Sequence, residues 1–134
     1  MNALRKACLL LAMVAAGDTA LAQQPSPTPA QAVEVHLSNF GFTPETIRLQ
    51  HGVPYTLVII NDTGGGHDFT AGQFFTTAAV EPQDRAKLSG SGVSLSGKES
   101  VTLHLTAPVP GTYKVKCTHF MHSAMGMKGS IVVM

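Results

Sequence analysis

Apolar residues stand at every second position along several segments of this 134-residue chain. The segments 33–38 and 101–106 both alternate in this way, and 55–60 is apolar at every position but one. A period of two is typical of β-strands that bury one face, and a continuous apolar run is typical of a central strand. Glycine and proline turns separate these segments, and only 78–88 is expected to hold a helical turn. The pattern predicts an all-β antiparallel sandwich.

The first 22 residues have the pattern of a secretory signal peptide. Arg5 and Lys6 precede an apolar run at 7–16, and small residues at 20–22 form a cleavage site. The apolar run is too short to span a bilayer. We therefore expect cleavage after Ala22, a periplasmic location and no membrane insertion of the mature chain.

The remaining residues divide into a short tether and one domain. Residues 23–31 are polar and contain three prolines, which predicts an extended N-terminal tether. Residues 32–134 have the length of a single domain with one core.

The charge of the mature chain argues against nucleic-acid binding. The full sequence has nine basic and eight acidic residues, and the signal segment holds Arg5, Lys6 and Asp18, so the mature chain has seven of each. A formally neutral chain without a basic stripe has no electrostatic footprint for nucleic acid. Strong overall steering of a charged partner is also not expected.

One cysteine remains after the signal peptide is removed. Cys8 lies within the leader, so Cys117 has no intramolecular partner for a disulfide. A lone thiol in an oxidising compartment is either buried and inert or occupied by a ligand.

The residues around Cys117 favour a metal. Residues 117–127 contain one cysteine, two histidines and three methionines, and His67 stands fifty residues upstream behind three glycines. A thiolate, two imidazoles and a weak thioether form the ligand set of blue electron-transfer copper sites. Lys114 and Lys116 alternate with residues of the other strand face, which places Cys117 on the inward side. The sequence therefore predicts a copper site at the ends of strands.

Several motifs together resemble those of the cupredoxins, the single-domain blue copper proteins. They are the segment 39–44, His67, the triplet 111–113 ahead of Cys117 and Thr118, and the closing segment 126–133. The resemblance implies a Greek-key β-sandwich of about eight strands, one type 1 copper ion that cycles between Cu(I) and Cu(II), and one-electron transfer.

The resemblance also implies the ligands. It assigns His67, Cys117, His122 and Met127 to the copper ion, with four residues between cysteine and histidine and four between histidine and methionine. This spacing is most similar to that of rusticyanin among cupredoxins.

For several residues near the predicted ligands, the sequence leaves more than one role open. His119 is interpreted as a loop histidine with a supporting hydrogen bond, since it is only two residues from Cys117. Met125 competes with Met127 for the axial position. Asp68 either braces the ligand loop through Thr118 or is solvated. The remaining histidines are expected at the surface: His36, His51 and His104.

The expected function is a periplasmic carrier of single electrons between redox proteins such as a cytochrome and a copper enzyme. Docking is expected on an apolar patch around His122, formed by Phe40, Phe42, Phe120, Met121 and Met125. The alternative is a copper-holding or copper-delivery protein, because thioethers bind Cu(I). An enzyme is not expected, since multicopper enzymes need further histidine clusters and the chain has no His-x-His pair.

Overall fold

A computed structural model of the protein describes residues 26–122 and 124–134. The predicted signal peptide and the first residues of the tether lie outside this part of the chain. The described residues form ten strands, an α-helix and a 3₁₀ helix: β1 Gln31–Leu37, β2 Phe42–Thr43, β3 Thr46–Leu49, β4 Pro54–Asn61, β5 His67–Thr70, α1 Gly72–Thr77, β6 Ala79–Val80, the 3₁₀ helix Pro82–Lys87, β7 Gly92–Leu95, β8 Ser100–Thr106, β9 Gly111–Lys116 and β10 Lys128–Val133. Two of the strands have only two residues. The predicted all-β sandwich of about eight strands is confirmed.

The strands form two five-stranded sheets. The first has the order β2-β1-β4-β8-β6 and the second has the order β3-β10-β9-β5-β7. Strand β4 lies in the middle of the first sheet, as its continuous apolar run predicts. Buried residues alternate along most of the longer strands and meet between the sheets, where they include Leu37, Ile59, Leu103 and Ile131.

The expectation of a purely antiparallel sandwich is wrong in one respect. Strand β1 pairs in parallel with β4, and β3 pairs in parallel with β10. After β1 the chain crosses to the second sheet to form β3 and then returns as β4, so no hairpin joins β1 to β4. A period of two reports a buried face and carries no information about strand direction.

Two helical segments connect the sheets. The 3₁₀ helix Pro82–Lys87 confirms the helical turn predicted within 78–88. Helix α1 has only six residues, too few to show a helical period in the sequence, and it buries Phe74 and Phe75. Neither helix of the described chain is long and apolar enough to cross a membrane.

A buried carboxylate fastens the 3₁₀ helix to β8. Asp84 accepts a hydrogen bond from Lys87 Nζ at 2.6 Å, from the backbone N–H of His104 at 2.7 Å, and lies 2.8 Å from His104 Nδ1. Burial alone raises the pKa of Asp84, but the bonds from Lys87 and His104 outweigh it and lower the pKa to about 2. The ionised carboxylate therefore stabilises the folded chain.

This carboxylate predicts a specific loss of stability in acid. Because its pKa is lower in the folded chain than the ordinary 3.8, its contribution is complete above that value and is lost as the pH falls towards 2. Asp84→Asn should lower the free energy of unfolding by about 2 kcal/mol at neutral pH and flatten its dependence on pH below 4. Urea unfolding between pH 2 and 7 measures both effects. The control Glu81→Gln removes an exposed carboxylate next to the same helix, and an equal effect of the two variants would contradict this role for Asp84.

Candidate metal centre

The predicted ligands come together at one end of the second sheet. His67 begins β5, Cys117 follows β9 and Met127 precedes β10. Strand β9 pairs with both β5 and β10, so the sheet itself places these three positions side by side. The loop from β9 to β10 then carries His122 over the same end.

Three of the four predicted side chains form a compact donor cluster. One donor atom from each of His67, Cys117 and His122 lies within 4.8 Å of the other two. The Cys117 Sγ atom is 4.0 Å from His67 Nδ1 and 3.5 Å from His122 Nδ1. His67 and Cys117 are buried, whereas His122 is only partly buried. The two Nδ1 atoms and the sulfur surround a common point, as a single metal ion requires.

The two candidate thioethers differ in position. Met127 is fully buried, whereas the side chain of Met125 is 55% exposed. The backbone of Met127 is fixed on both sides, since its carbonyl accepts from Cys117 N at 3.2 Å and its N–H donates to His122 O at 3.0 Å. Its burial at this end of the sheet favours Met127 over Met125 as the axial ligand, an assignment that stays a prediction.

Asp68 braces the ligand loop, which settles the choice between bracing and solvation. Its buried carboxylate accepts from the Thr118 backbone N–H at 2.9 Å and from the Thr118 hydroxyl at 2.6 Å. Thr70 donates to the same carboxylate at 2.8 Å. The backbone N–H of Asp68 lies 3.4 Å from Cys117 Sγ and donates to it. One residue therefore ties the strand that bears His67 to the loop that follows Cys117.

His119 lies beside the cluster without joining it. Its Nε2 atom is 3.8 Å from a carboxylate oxygen of Asp68, and its side chain is 43% exposed. Its ring stacks on that of His122, with centroids 5.5 Å apart and planes at 16°. His119 thus lies outside the donor cluster, and the supporting hydrogen bond predicted for it stays a prediction. The remaining histidines each contact an oxygen away from the site: His36 with Asp62, His51 with Pro108 and His104 with Asp84.

The electrostatics of the cluster favour neutral groups when no cation is present. Burial lowers the pKa of His67, and the neighbouring His122 and His119 lower it further. Burial also raises the pKa of the Cys117 thiol, although the backbone N–H of Asp68 opposes this. A bound cation reverses the effect at Cys117, because it stabilises the thiolate that coordinates it. Two imidazoles, an ionisable thiol and a buried thioether fit one type 1 copper ion.

Sequence reasoning missed the residue that shapes the loop before His67. Asn61 is buried, and its amide Nδ2 donates to the carbonyls of Gly65 at 2.7 Å and Ser96 at 2.8 Å. Its Oδ1 accepts from Thr63 N at 3.0 Å and from the Thr63 hydroxyl at 2.8 Å. The sequence indicates a turn at 61–64, but nothing in it marks the asparagine as buried.

The loop before His67 packs closely against Gly97, where no side chain would fit. A Cβ atom at Gly97 would lie 2.2 Å from the carbonyl oxygen of Gly64, a distance that no real side chain tolerates. Lys98 N donates to Thr63 O at 2.9 Å beside this contact. The glycine-rich loop is thus held against the segment that follows β7, and His67 emerges from it in a fixed position.

Four of the five side chains assigned to the predicted apolar patch are exposed, and the fifth is buried. Phe40, Phe120, Met121 and Met125 are exposed, with Phe120 exposed over 90% of its surface. Phe42 is only 5% exposed, so its assignment to the patch is wrong. It faces inward from β2 and packs edge-on against Phe69, with ring centroids 5.5 Å apart.

Comparison with known proteins identifies the family. The family model described as a cupredoxin-like domain matches residues 7–133, and the chain belongs to that family. No curated protein sequence matches the chain significantly.

Solved structures show the same fold at low sequence identity. Auracyanin B is 23% identical, with a TM-score of 0.56 over 82% of this chain and 93% of that one. Auracyanin A, a "blue" copper protein from Chloroflexus aurantiacus, is 18% identical, with a TM-score of 0.57 over 79% of this chain and 100% of that one. The multicopper oxidase McoA of Aquifex aeolicus is 18% identical, with a TM-score of 0.62 over 83% of this chain and 31% of that one.

Proposed function

We propose that the chain is a type 1 copper protein that carries single electrons between redox partners in the periplasm. The observation that carries the proposal is the convergence of two imidazole Nδ1 atoms on a fully buried thiol, at 4.0 Å and 3.5 Å. The family and the likeness to auracyanin A, a blue copper protein, support it. The mature chain is proposed to begin after Ala22.

The ligand set would hold copper in either oxidation state. Copper bound there supplies one-electron redox chemistry, since sulfur donors suit Cu(I) and imidazoles suit Cu(II). His67, Cys117 and His122 would hold the ion, and Met127 would supply a weaker thioether ligand.

The protein's contribution is to keep these ligands in place. Asp68 and Asn61 fix the strand and loop that bear His67, and the backbone bonds of Met127 fix the closing loop. Rigid elements restrict the movement of ligands when the charge of the ion changes. A site that moves little has a low barrier to electron transfer.

The partly buried His122 is the proposed point of electron exchange. It is the most accessible of the three clustered donors, and the exposed Phe120 and Met121 flank it in the loop. A partner protein is proposed to dock at these exposed apolar side chains, because apolar patches at the surface mark interaction sites.

Copper holding or delivery is the second candidate function. The exposed thioethers of Met121 and Met125 favour it, because soft ligands at the surface can take up Cu(I). A buried thiolate opposes rapid release, and Cys117 is fully buried.

We propose no enzymatic activity of the chain's own. Among residues 26–122 and 124–134, His67, Cys117 and His122 are the one group of His, Cys, Asp or Glu side chains suited to a metal. The multicopper oxidase of similar fold is a longer protein, of which this chain spans about a third.

The rates of electron self-exchange and of Cu(I) transfer distinguish an electron carrier from a copper-delivery protein. For an electron carrier, electron self-exchange between Cu(I) and Cu(II) protein, measured by NMR line broadening, should exceed the rate of Cu(I) transfer to a chelator by more than about a hundredfold. Met121→Leu with Met125→Leu should leave the self-exchange within about threefold, while removing the two exposed thioethers of the ligand loop. Transfer of Cu(I) that outruns self-exchange, and slows sharply in the double variant, would instead support copper delivery.

A further inference from the structure

The outer face of the second sheet concentrates positive charge. Arg48 on β3, Lys114 and Lys116 on β9, and Lys128 on β10 are all exposed and project from adjacent strands. Lys128 lies directly opposite Lys116 in the β9–β10 pair. We call these four residues the cationic face.

The cationic face has no carboxylate partners. The salt bridges of the described residues involve other cations, and none includes a member of this set. Like charges directly opposite each other on neighbouring strands are destabilising. The Lys116–Lys128 pair therefore does not stabilise the fold, and its charges face solvent, where a partner could reach them.

Residues 26–134 have equal numbers of basic and acidic side chains, but these are unevenly distributed. Most of the acidic residues lie on or beside the first sheet: Glu34, Asp62, Glu81, Asp84 and Glu99. Near the cationic face the acidic residues are Glu45, which precedes β3, and Asp68, whose carboxylate is occupied by Thr118 and Thr70. The described part of the chain thus has one distinctly positive side.

Two grooves lie beside these lysines. One has a volume of about 500 Å³ and is lined by Lys114 and Lys116 with hydroxyl or amide side chains that include Thr70 and Thr112. The other has a volume of about 350 Å³ and runs between Lys116 and Lys128. Large exposed apolar side chains do not line either groove. A lipid surface is disfavoured on this face, because membrane-binding surfaces combine basic residues with apolar anchors.

Two residues of the cationic face are direct chain neighbours of predicted metal ligands. Lys116 immediately precedes Cys117, and Lys128 immediately follows Met127. We propose that this face docks an acidic surface patch of a protein redox partner, on the flank of the molecule beside Cys117. The proposal rests on the proposed electron-carrier function and adds a second contact region to the apolar patch.

A small anionic probe maps the docking face. Hexacyanochromate(III) is paramagnetic, trivalent and inert, so it broadens the NMR signals of amides near its binding site. With the Cu(I) protein at low salt, the broadening should centre on residues 114–116 and 128–130. Broadening centred instead on 119–122, or spread evenly over the surface, would overturn the proposal. The map requires no electron transfer and remains informative if the proposed function fails.

A kinetic test compares two matched pairs of charge removals. Hexacyanoferrate(III) takes one electron from the Cu(I) protein and yields hexacyanoferrate(II) and the Cu(II) protein. Lys114→Gln with Lys116→Gln should slow this reaction about fivefold at low ionic strength, since local positive charge raises the encounter rate of an anion. Arg85→Gln with Lys98→Gln removes the same charge elsewhere and should slow it less than about twofold. Equal slowing by the two pairs would contradict a local docking face.

Binding experiments with a peptide and with vesicles distinguish an acidic protein partner from a membrane surface. A polyglutamate peptide should shift the amide signals of residues 114–116 in the wild-type protein, and the shifts should disappear in the Lys114→Gln, Lys116→Gln variant. Vesicles of phosphatidylglycerol should not sediment with the protein at physiological salt. Sedimentation with vesicles in the absence of peptide shifts would overturn a protein partner in favour of a membrane surface.

Discussion

Cys117→Ser should abolish the intense visible absorption of the copper-loaded protein. The sulfur is fully buried, and it is the atom on which His67 Nδ1 and His122 Nδ1 converge. A hydroxyl is a harder and much less acidic ligand than a thiol, so it cannot supply the thiolate on which the strong colour of such a site depends. The absorption spectrum of protein loaded with one equivalent of Cu(II) measures the effect.

A matched control separates loss of the ligand from damage to the loop. His119→Gln changes the same loop near the cluster, removes an imidazole and should keep most of the absorption, because His119 lies outside the three-residue cluster. Serine and cysteine differ little in volume, so the Cys117→Ser protein should remain folded. Full colour in the serine variant, or loss of colour in the glutamine variant alone, would contradict the assignment of the ligands.

Asn61→Asp should produce a large loss of stability for a conservative substitution. The amide donates to the carbonyls of Gly65 and Ser96, and a carboxylate at this buried position would face those oxygens without a proton to share. We expect the free energy of unfolding to fall by about 3 kcal/mol. For a domain of this size, that corresponds to a fall in the melting temperature of about 15 °C.

The effect should extend to the metal centre, because the loop held by Asn61 leads into His67. Copper affinity and the visible spectrum of Asn61→Asp should both change, whereas those of a surface variant should not. Asn39→Asp makes the same chemical change at an exposed asparagine and is the control. A melting temperature equal in the two variants would show that the bonds of Asn61 do not hold the loop.

The sequence predicted the parts of the fold that depend on local periodicity. Alternation in 33–38 and 101–106 placed strands with one buried face, and the mostly apolar run at 55–60 placed the central strand β4. Strand direction was not predictable, because parallel and antiparallel strands bury alternate residues in the same way. The parallel pairing of β1 with β4 depends on how the chain crosses between sheets.

The site was predictable where chemistry restricts the residue type. A lone cysteine with histidines and methionines at short spacing indicates a metal, and the structure brings His67, Cys117 and His122 together as expected. The residues that support the ligands were harder to predict from the sequence. Whether Asp68 bonds to Thr118 depends on the distance between two strand ends, and Asn61 in a polar turn sequence resembles any solvent-exposed turn residue.

Surface features were the least predictable. Phe42 was assigned to the apolar patch with Phe40, yet strand β2 turns it inward against Phe69. The neutral charge of the mature sequence likewise gave no sign of the cationic face. Arg48, Lys116 and Lys128 are far apart in sequence, and only the order of β3, β10 and β9 brings them onto one surface.

The most direct test of the account is a reductive titration of the copper-loaded protein, without its predicted signal peptide, followed by visible absorption. The account predicts a strong band in the red part of the spectrum for the Cu(II) form, its complete loss on addition of one electron per protein, and its full return on reoxidation. A weakly coloured Cu(II) form, or a band that does not return after the cycle, would contradict a thiolate-bound, electron-carrying copper at Cys117.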